Sequence, residues 1–127
     1  MSRWDIIRDH WPKLYRHGII FECGTGWFNI ILDLSKKIEK IIEDYEKRYK
    51  SENSEEKHFV EMYAVQVKEK CGTLRFYMSC DTLEITNLIE EAEALSSRTC
   101  ENCGSPGKMR GNKWVMVKCD DCFSGGK

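Results

Sequence analysis

Four cysteines near the end of the chain, Cys100-x2-Cys103 and, after fifteen intervening residues, Cys119-x2-Cys122, constrain the fold more than any other feature. Two short turns that each present a pair of thiolates can close a tetrahedron around one ion, and this is the spacing of a zinc ribbon. Four protein ligands leave no position for water, so the expected cofactor is one structural Zn²⁺ per chain, unable to activate a nucleophile. Gly104, directly after Cys103, lets the backbone curl so that amides reach the sulfurs, and Gly111-Asn112 sits where a two-residue hairpin turn belongs. Lys113 to Lys118 then reads as the returning strand, with Val115 and Val117 alternating against Trp114 and Met116. Trp114 is a candidate binding residue with two readings: packing against the neighbouring domain, which is favoured, or a stacking platform for a base. Lys108, Arg110, Lys113 and Lys118 supply only part of the basic surround that stacking wants.

The chain has 127 residues, enough for one modest core besides the ribbon. We expect an α+β domain over 1–97 and the ribbon over 98–127. Hydrophobic residues make up 41% and charged residues 32%, the balance of a folded chain rather than a disordered one. Apolar runs are far shorter than the ~20 residues a membrane span requires, and Met1 to Asp9 lacks the pattern of a signal peptide. A cytoplasmic protein is expected. Residues 1–97 carry 14 basic and 18 acidic side chains, whereas 98–127 carry 6 and 3. Four thiolates and one Zn²⁺ would offset most of that basic excess, so strong nonspecific nucleic-acid binding is not implied.

Ser2 can cap a first helix along which Trp4, Ile7, Trp11, Leu14 and Tyr15 recur, with Pro12 kinking or restarting it. Ile19 to Phe21 reads as a short buried extended segment. The clearest helix follows, with Trp27, Ile30, Ile31, Leu34, Ile38, Ile41, Ile42, Tyr45 and Tyr49 on one face and charges outside. Ser51 to Lys57 reads as a loop. Phe59–Lys68 and Leu74–Ser79 alternate as an antiparallel hairpin, turning over Glu69 to Thr73, with Tyr63, Val65, Val67, Leu74, Phe76 and Met78 sharing a face. Asp81 with Glu84 suggests a capping box for a last helix striped by Ile85, Leu88, Ile89, Ala92 and Leu95. The expected architecture is therefore a small antiparallel hairpin or sheet packed on helices, with a C-terminal zinc ribbon.

Two further segments are candidate binding sites. Gly24-Thr25-Gly26 precedes the long helix and can offer free amides to an anion, although it lacks the lysine of a Walker motif and reads more simply as a helix start capped by Thr25. Lys68, Lys70 and Arg75 cluster at the hairpin turn and, with Tyr77, can hold a phosphate or an acidic surface, the plainer reading being a solvated turn. If the two segments converge on one concavity they would suit a phosphate-bearing ligand. Cys23, Cys71 and Cys80 read as small buried hydrophobes. His10, His17 and His58 fall in no metal or triad pattern, and neither a nucleophile elbow nor a zinc-protease helix is present, so no catalytic residue is assigned.

The run Val67-Lys68-Glu69-Lys70-Cys71-Gly72-Thr73-Leu74-Arg75-Phe76-Tyr77, the helix Glu90-Glu91-Ala92-Glu93-Ala94, the segment Arg98 to Gly107 and the loop Cys23 to Phe28 are similar to a group of small uncharacterised proteins of bacteriophages and prophages. The resemblance covers most of the chain. It implies a phage origin and a bacterial cytoplasm, and brings no established activity. Its members tend to have an aromatic residue where this chain has Cys71, which marks Cys71 as a packing position. The expectation is a non-catalytic binding protein that engages a host macromolecule or signalling ligand, with a counter-defence role among its uses. The alternatives are a nucleic-acid-binding accessory protein and an enzyme whose site the sequence does not reveal.

Overall fold

The computed structural model describes residues 2–52, 60–80 and 82–125. Helix α1, Arg3–His10, starts on a capping box in which the Ser2 hydroxyl accepts from the Asp5 amide and the Asp5 carboxylate accepts from the Ser2 amide. It ends before Pro12. The turns that follow bring Leu14 and Tyr15 into the core; the Tyr15 amide donates to the Trp11 carbonyl, and those of Lys13 and Leu14 are taken up by a carboxylate of the long helix that comes next. The buried Glu39 accepts from Leu14 N–H at 2.7 Å and Lys13 N–H at 3.3 Å.

Strand β1 is only Phe21–Glu22. Phe21 is buried as expected, but Ile20 precedes the strand and is 74% exposed. A 3-10 turn, Thr25–Trp27, leads into α2, Phe28–Glu52. This long helix buries Ile30, Ile31, Leu34, Ile38 and Ile42. The expected loop from Ser51 is displaced, since the helix continues to Glu52; the rest of that loop, and Phe59, where the next strand was expected to begin, lie outside the described residues.

Strands β2, Ala64–Lys70, and β3, Thr73–Met78, form the antiparallel hairpin, and β1 adds to β2 in parallel to give the order β1-β2-β3. The turn is tighter than Glu69–Thr73, only Cys71-Gly72, with φ of 54° and 86° at those residues. Opposite the turn, the register slips between Ala64 and Gln66. That bulge puts Ala64 and Val67 inward and leaves Val65 52% exposed, so Val65 does not share the face of Val67, Leu74 and Phe76. Helix α3, Leu83–Ser96, is capped by Thr82, whose hydroxyl accepts from the Ile85 amide; Asp81, the expected cap, lies outside the described residues. Ile85, Ile89 and Ala92 pack inward, while Leu95 is exposed. At its end the Ser96 hydroxyl accepts the Leu74 amide at 2.9 Å, joining α3 to β3.

The fold is thus α+β, a small mixed sheet packed on helices, and it ends in the arrangement of a zinc ribbon. Strands β4, Lys108–Arg110, and β5, Met116–Lys118, pair antiparallel, and a short helix α4, Asp120–Gly125, is the last described element. The connection between β4 and β5 is five residues rather than two. Gly111, with φ of 95°, turns the chain so closely under the Trp114 carbonyl that a side chain there would collide with it. Among the described residues no helix is long and apolar enough to cross a membrane.

Candidate metal centre and ribbon face

The sulfurs of Cys100, Cys103, Cys119 and Cys122 all lie within 4.8 Å of one another, a set that can hold one metal ion. The first pair sits on a turn closed by Gly104 N–H donating to the Cys100 carbonyl, 2.9 Å, where Gly104 has φ of 86°. The second pair sits at the start of α4, where Cys122 N–H donates to Cys119 Sγ at 3.4 Å. Asn102 Nδ2 donates to Cys122 Sγ at 3.3 Å. Such amide and side-chain donors fix the sulfurs and lower their charge density. Burial would raise the Cys100 thiol, but the amides of Cys119, Cys103 and Asn102 bring it down to about 6. Cys122, despite the Asn102 donor, is pushed up to about 12 by the neighbouring sulfurs of Cys119 and Cys103. Four sulfurs this close cannot all be anionic without a cation among them, which is the chemistry of a metal-thiolate site.

The glycine loop has a different role from the one expected of it. Gly24 N–H donates to the Glu101 carboxylate at 2.8 Å, and Gly26 N–H donates to the Glu101 carbonyl at 2.7 Å. The indole N–H of the fully buried Trp27 donates to the Thr99 carbonyl at 2.9 Å. The amides that could have met a ligand anion therefore hold the first cysteine turn of the ribbon, and the anion beside them is the protein's own carboxylate. No side chain caps this start, and Thr25 is not the cap, because Gly24 occupies that position. A Cβ on Gly24 or Gly26 would overlap the backbone of Glu101 or Cys100, which explains the glycines.

The hairpin does lie beside this loop, since β1 pairs Glu22 with Lys68. Lys68 and Arg75 are cross-strand partners, and Tyr77, opposite Gln66, is 43% exposed. Lys70 is exposed at the turn. Arg75 reaches Glu93 of α3 at 3.9 Å, so part of its charge is already answered within the chain. What meets at the junction is acidic rather than basic. Glu101 and Glu69 both act on the Cys23 thiol, which burial first and these two charges second push up to about 12. The thiol stays protonated and unreactive there.

Of the three cysteines outside the metal set, only Cys23 is partly enclosed; Cys71 and Cys80 are exposed. Cys71 is not a packing position but the first residue of a tight turn. Trp114 likewise is not packed. It is 83% exposed, because the five-residue connection lifts it off the strand on which it would have alternated with Val115. Its loop faces the β2–β3 turn across a cleft of about 400 Å³, lined also by Glu69, Cys71 and Glu101. Gly72 closes the base of the contact, where an added Cβ would stand 3.0 Å from the Met109 sulfur and 3.1 Å from Val115. Glu101 escaped the sequence reading because its partner, Gly24, is 77 positions away in the chain. No family model, curated protein or solved structure matches this chain.

Proposed function

We propose that the chain is a non-catalytic binding protein whose ribbon, braced by one structural Zn²⁺, presents a recognition surface to a host macromolecule. Zinc is the ion that four thiolates in a closed set favour, and it carries no redox chemistry. The observation that carries the reading is Trp114, a large aromatic left 83% exposed on the connection between the two ribbon strands. Exposed tryptophans on a firm support are what interface hot spots are built from. Met109 at 47% and Phe123 at 49% exposure extend the apolar surface of the ribbon. A phosphate-bearing ligand at the glycine loop is the less favoured partner, since Glu101 already occupies those amides. The sequence resemblance supplies the setting, a phage protein in a bacterial cytoplasm, and with it a role in countering host defence. The test is affinity capture from bacterial lysate with the zinc-loaded chain and its Trp114→Ala variant. A partner retained by the first and lost by the second is expected; equal capture by both would remove the ribbon face from consideration.

A second reading, nucleic-acid binding, is favoured by one observation. Lys108 and Lys118 stand directly opposite each other on the ribbon strands, and Lys113 adjoins the open face of Trp114. A shift of labelled DNA or RNA that weakens steeply with salt would establish it in place of the first.

A further inference from the structure

The cleft between the β2–β3 turn and the ribbon loop has a chemistry that neither the metal set nor the basic hairpin accounts for. One side offers Trp114, whose exposure leaves its aromatic face open. The lining also carries two carboxylates, Glu69 and Glu101. Each is fixed by a backbone amide, Gly72 N–H to Glu69 at 2.7 Å and Gly24 N–H to Glu101 at 2.8 Å. Their positions are set by the fold, so little ordering entropy would remain to be lost on binding. Among the described residues lining the cleft, Lys113 is the one cation, leaving an excess of negative charge.

We propose that this cleft receives a cationic side chain, arginine ahead of lysine, from a partner protein. A guanidinium is planar and weakly hydrated, so it can stack on an indole while its forked N–H groups reach carboxylates. At about 400 Å³ the cleft lies toward the small end of ligand sites, which suits a single side chain and its flanking backbone. A nucleic-acid phosphate would instead face two like charges. The inference rests on the reading of the ribbon face as the recognition surface, and it names the chemistry of the partner.

The experiment is an NMR titration of the zinc-loaded chain with the peptide acetyl-Gly-Arg-Arg-Gly-amide and with its Gln-Gln and Glu-Glu counterparts. Saturable shifts at the Trp114 indole and the Val115 and Met116 amides are expected with the arginine peptide, at affinity roughly tenfold or more above the other two. Glu69→Gln with Glu101→Gln preserves acceptors for the two glycine amides and should weaken the arginine peptide roughly tenfold with an unchanged melting temperature. Glu69→Gln alone, which leaves the ribbon clamp untouched, should weaken it by a smaller factor even if the double variant folds poorly. Equal responses to all three peptides, undiminished affinity in Glu69→Gln, or the same resonances shifting with a short oligothymidylate and not with arginine would each overturn the proposal. Loss of the lysate partner by Trp114→Ala together with no response to the arginine peptide would sink this inference alone. Retention of that partner by Trp114→Ala would sink the parent reading as well.

Discussion

Gly26 donates its amide to the carbonyl of Glu101 over 2.7 Å, so the turn that starts the longest helix and the first cysteine turn of the ribbon are hydrogen-bonded neighbours. Substituting Gly26→Ala would drive a methyl group into the Cys100 carbonyl and the Glu101 backbone, neither of which can swing aside as a side chain would. We expect a loss of about 1–3 kcal/mol, the usual range for overpacking, and a weaker hold on the metal because Cys100 moves with its carbonyl. Thermal melting and competition with a chromogenic zinc chelator measure the two effects. Gly18→Ala is the control, since open space surrounds that glycine and only its φ of 59° opposes a side chain.

Metal content is the second expectation. Freshly purified protein should contain about one Zn²⁺ per chain, and Cys103→Ser or Cys119→Ser should lose it, because ion binding supplies much of the folding free energy of so small a module. The clamp extends the effect into the main core. Stripping the ion should speed hydrogen exchange at the Trp27 indole, whose N–H is held by the Thr99 carbonyl one residue before the first ligand. Elemental analysis without zinc in chelator-free protein, or Trp27 exchange indifferent to chelator, would contradict it.

Glu39 gives a pH dependence whose sign can be worked out. Burial is the main cause that raises its carboxyl above the ordinary 4.5, while the amides of Leu14 and Lys13 pull the other way. A folded-state value above the unfolded one means the native chain binds more protons between the two. Stability from this group is therefore fully present below 4.5 and is lost as pH rises through the raised value. Glu39→Gln keeps an acceptor for the amides but cannot titrate. The wild-type minus variant difference in stability should fall as pH increases from about 4.5, whatever the metal site contributes to each protein separately. A difference that stays flat, or grows, across urea melts at several pH values would refute the assignment. Glu39→Ala, which strands two amides, should cost about 1–3 kcal/mol.

How far such features were legible follows from what kind of information carries them. The α2 stripe, the Ser2 cap and each of the two cysteine pairs are local patterns, built from residues a few positions apart, and the structure has them where the sequence puts them. Val65 was misplaced by a single-residue bulge, because alternation cannot announce where it slips. Trp114 was assigned to a strand that begins two residues later, at Met116. The Glu101 clamp lay beyond reach for a different reason. Its glycines look like an anion-binding loop, and nothing nearby in the chain says that a residue 77 positions away supplies the anion.

Cys71 yields the last prediction. It is the one described non-glycine residue with positive φ, 54°, and with Gly72 at 86° it makes a two-residue turn whose twist matches the strands on either side. A β-carbon in that left-handed region crowds the following carbonyl, and cysteine has no side-chain group that compensates well. Asparagine adopts this conformation more readily and is the preferred first residue of such a turn before glycine. Cys71 is also exposed, so no packing is lost by replacing it. Cys71→Asn should therefore stabilise the chain by about 0.5–1 kcal/mol, whereas Cys71→Val, branched at the β-carbon, should destabilise it by at least as much. Chemical denaturation of the three proteins under reducing conditions provides the comparison. An order in which valine matches or exceeds asparagine would mean that the turn relaxes away from the left-handed geometry in solution.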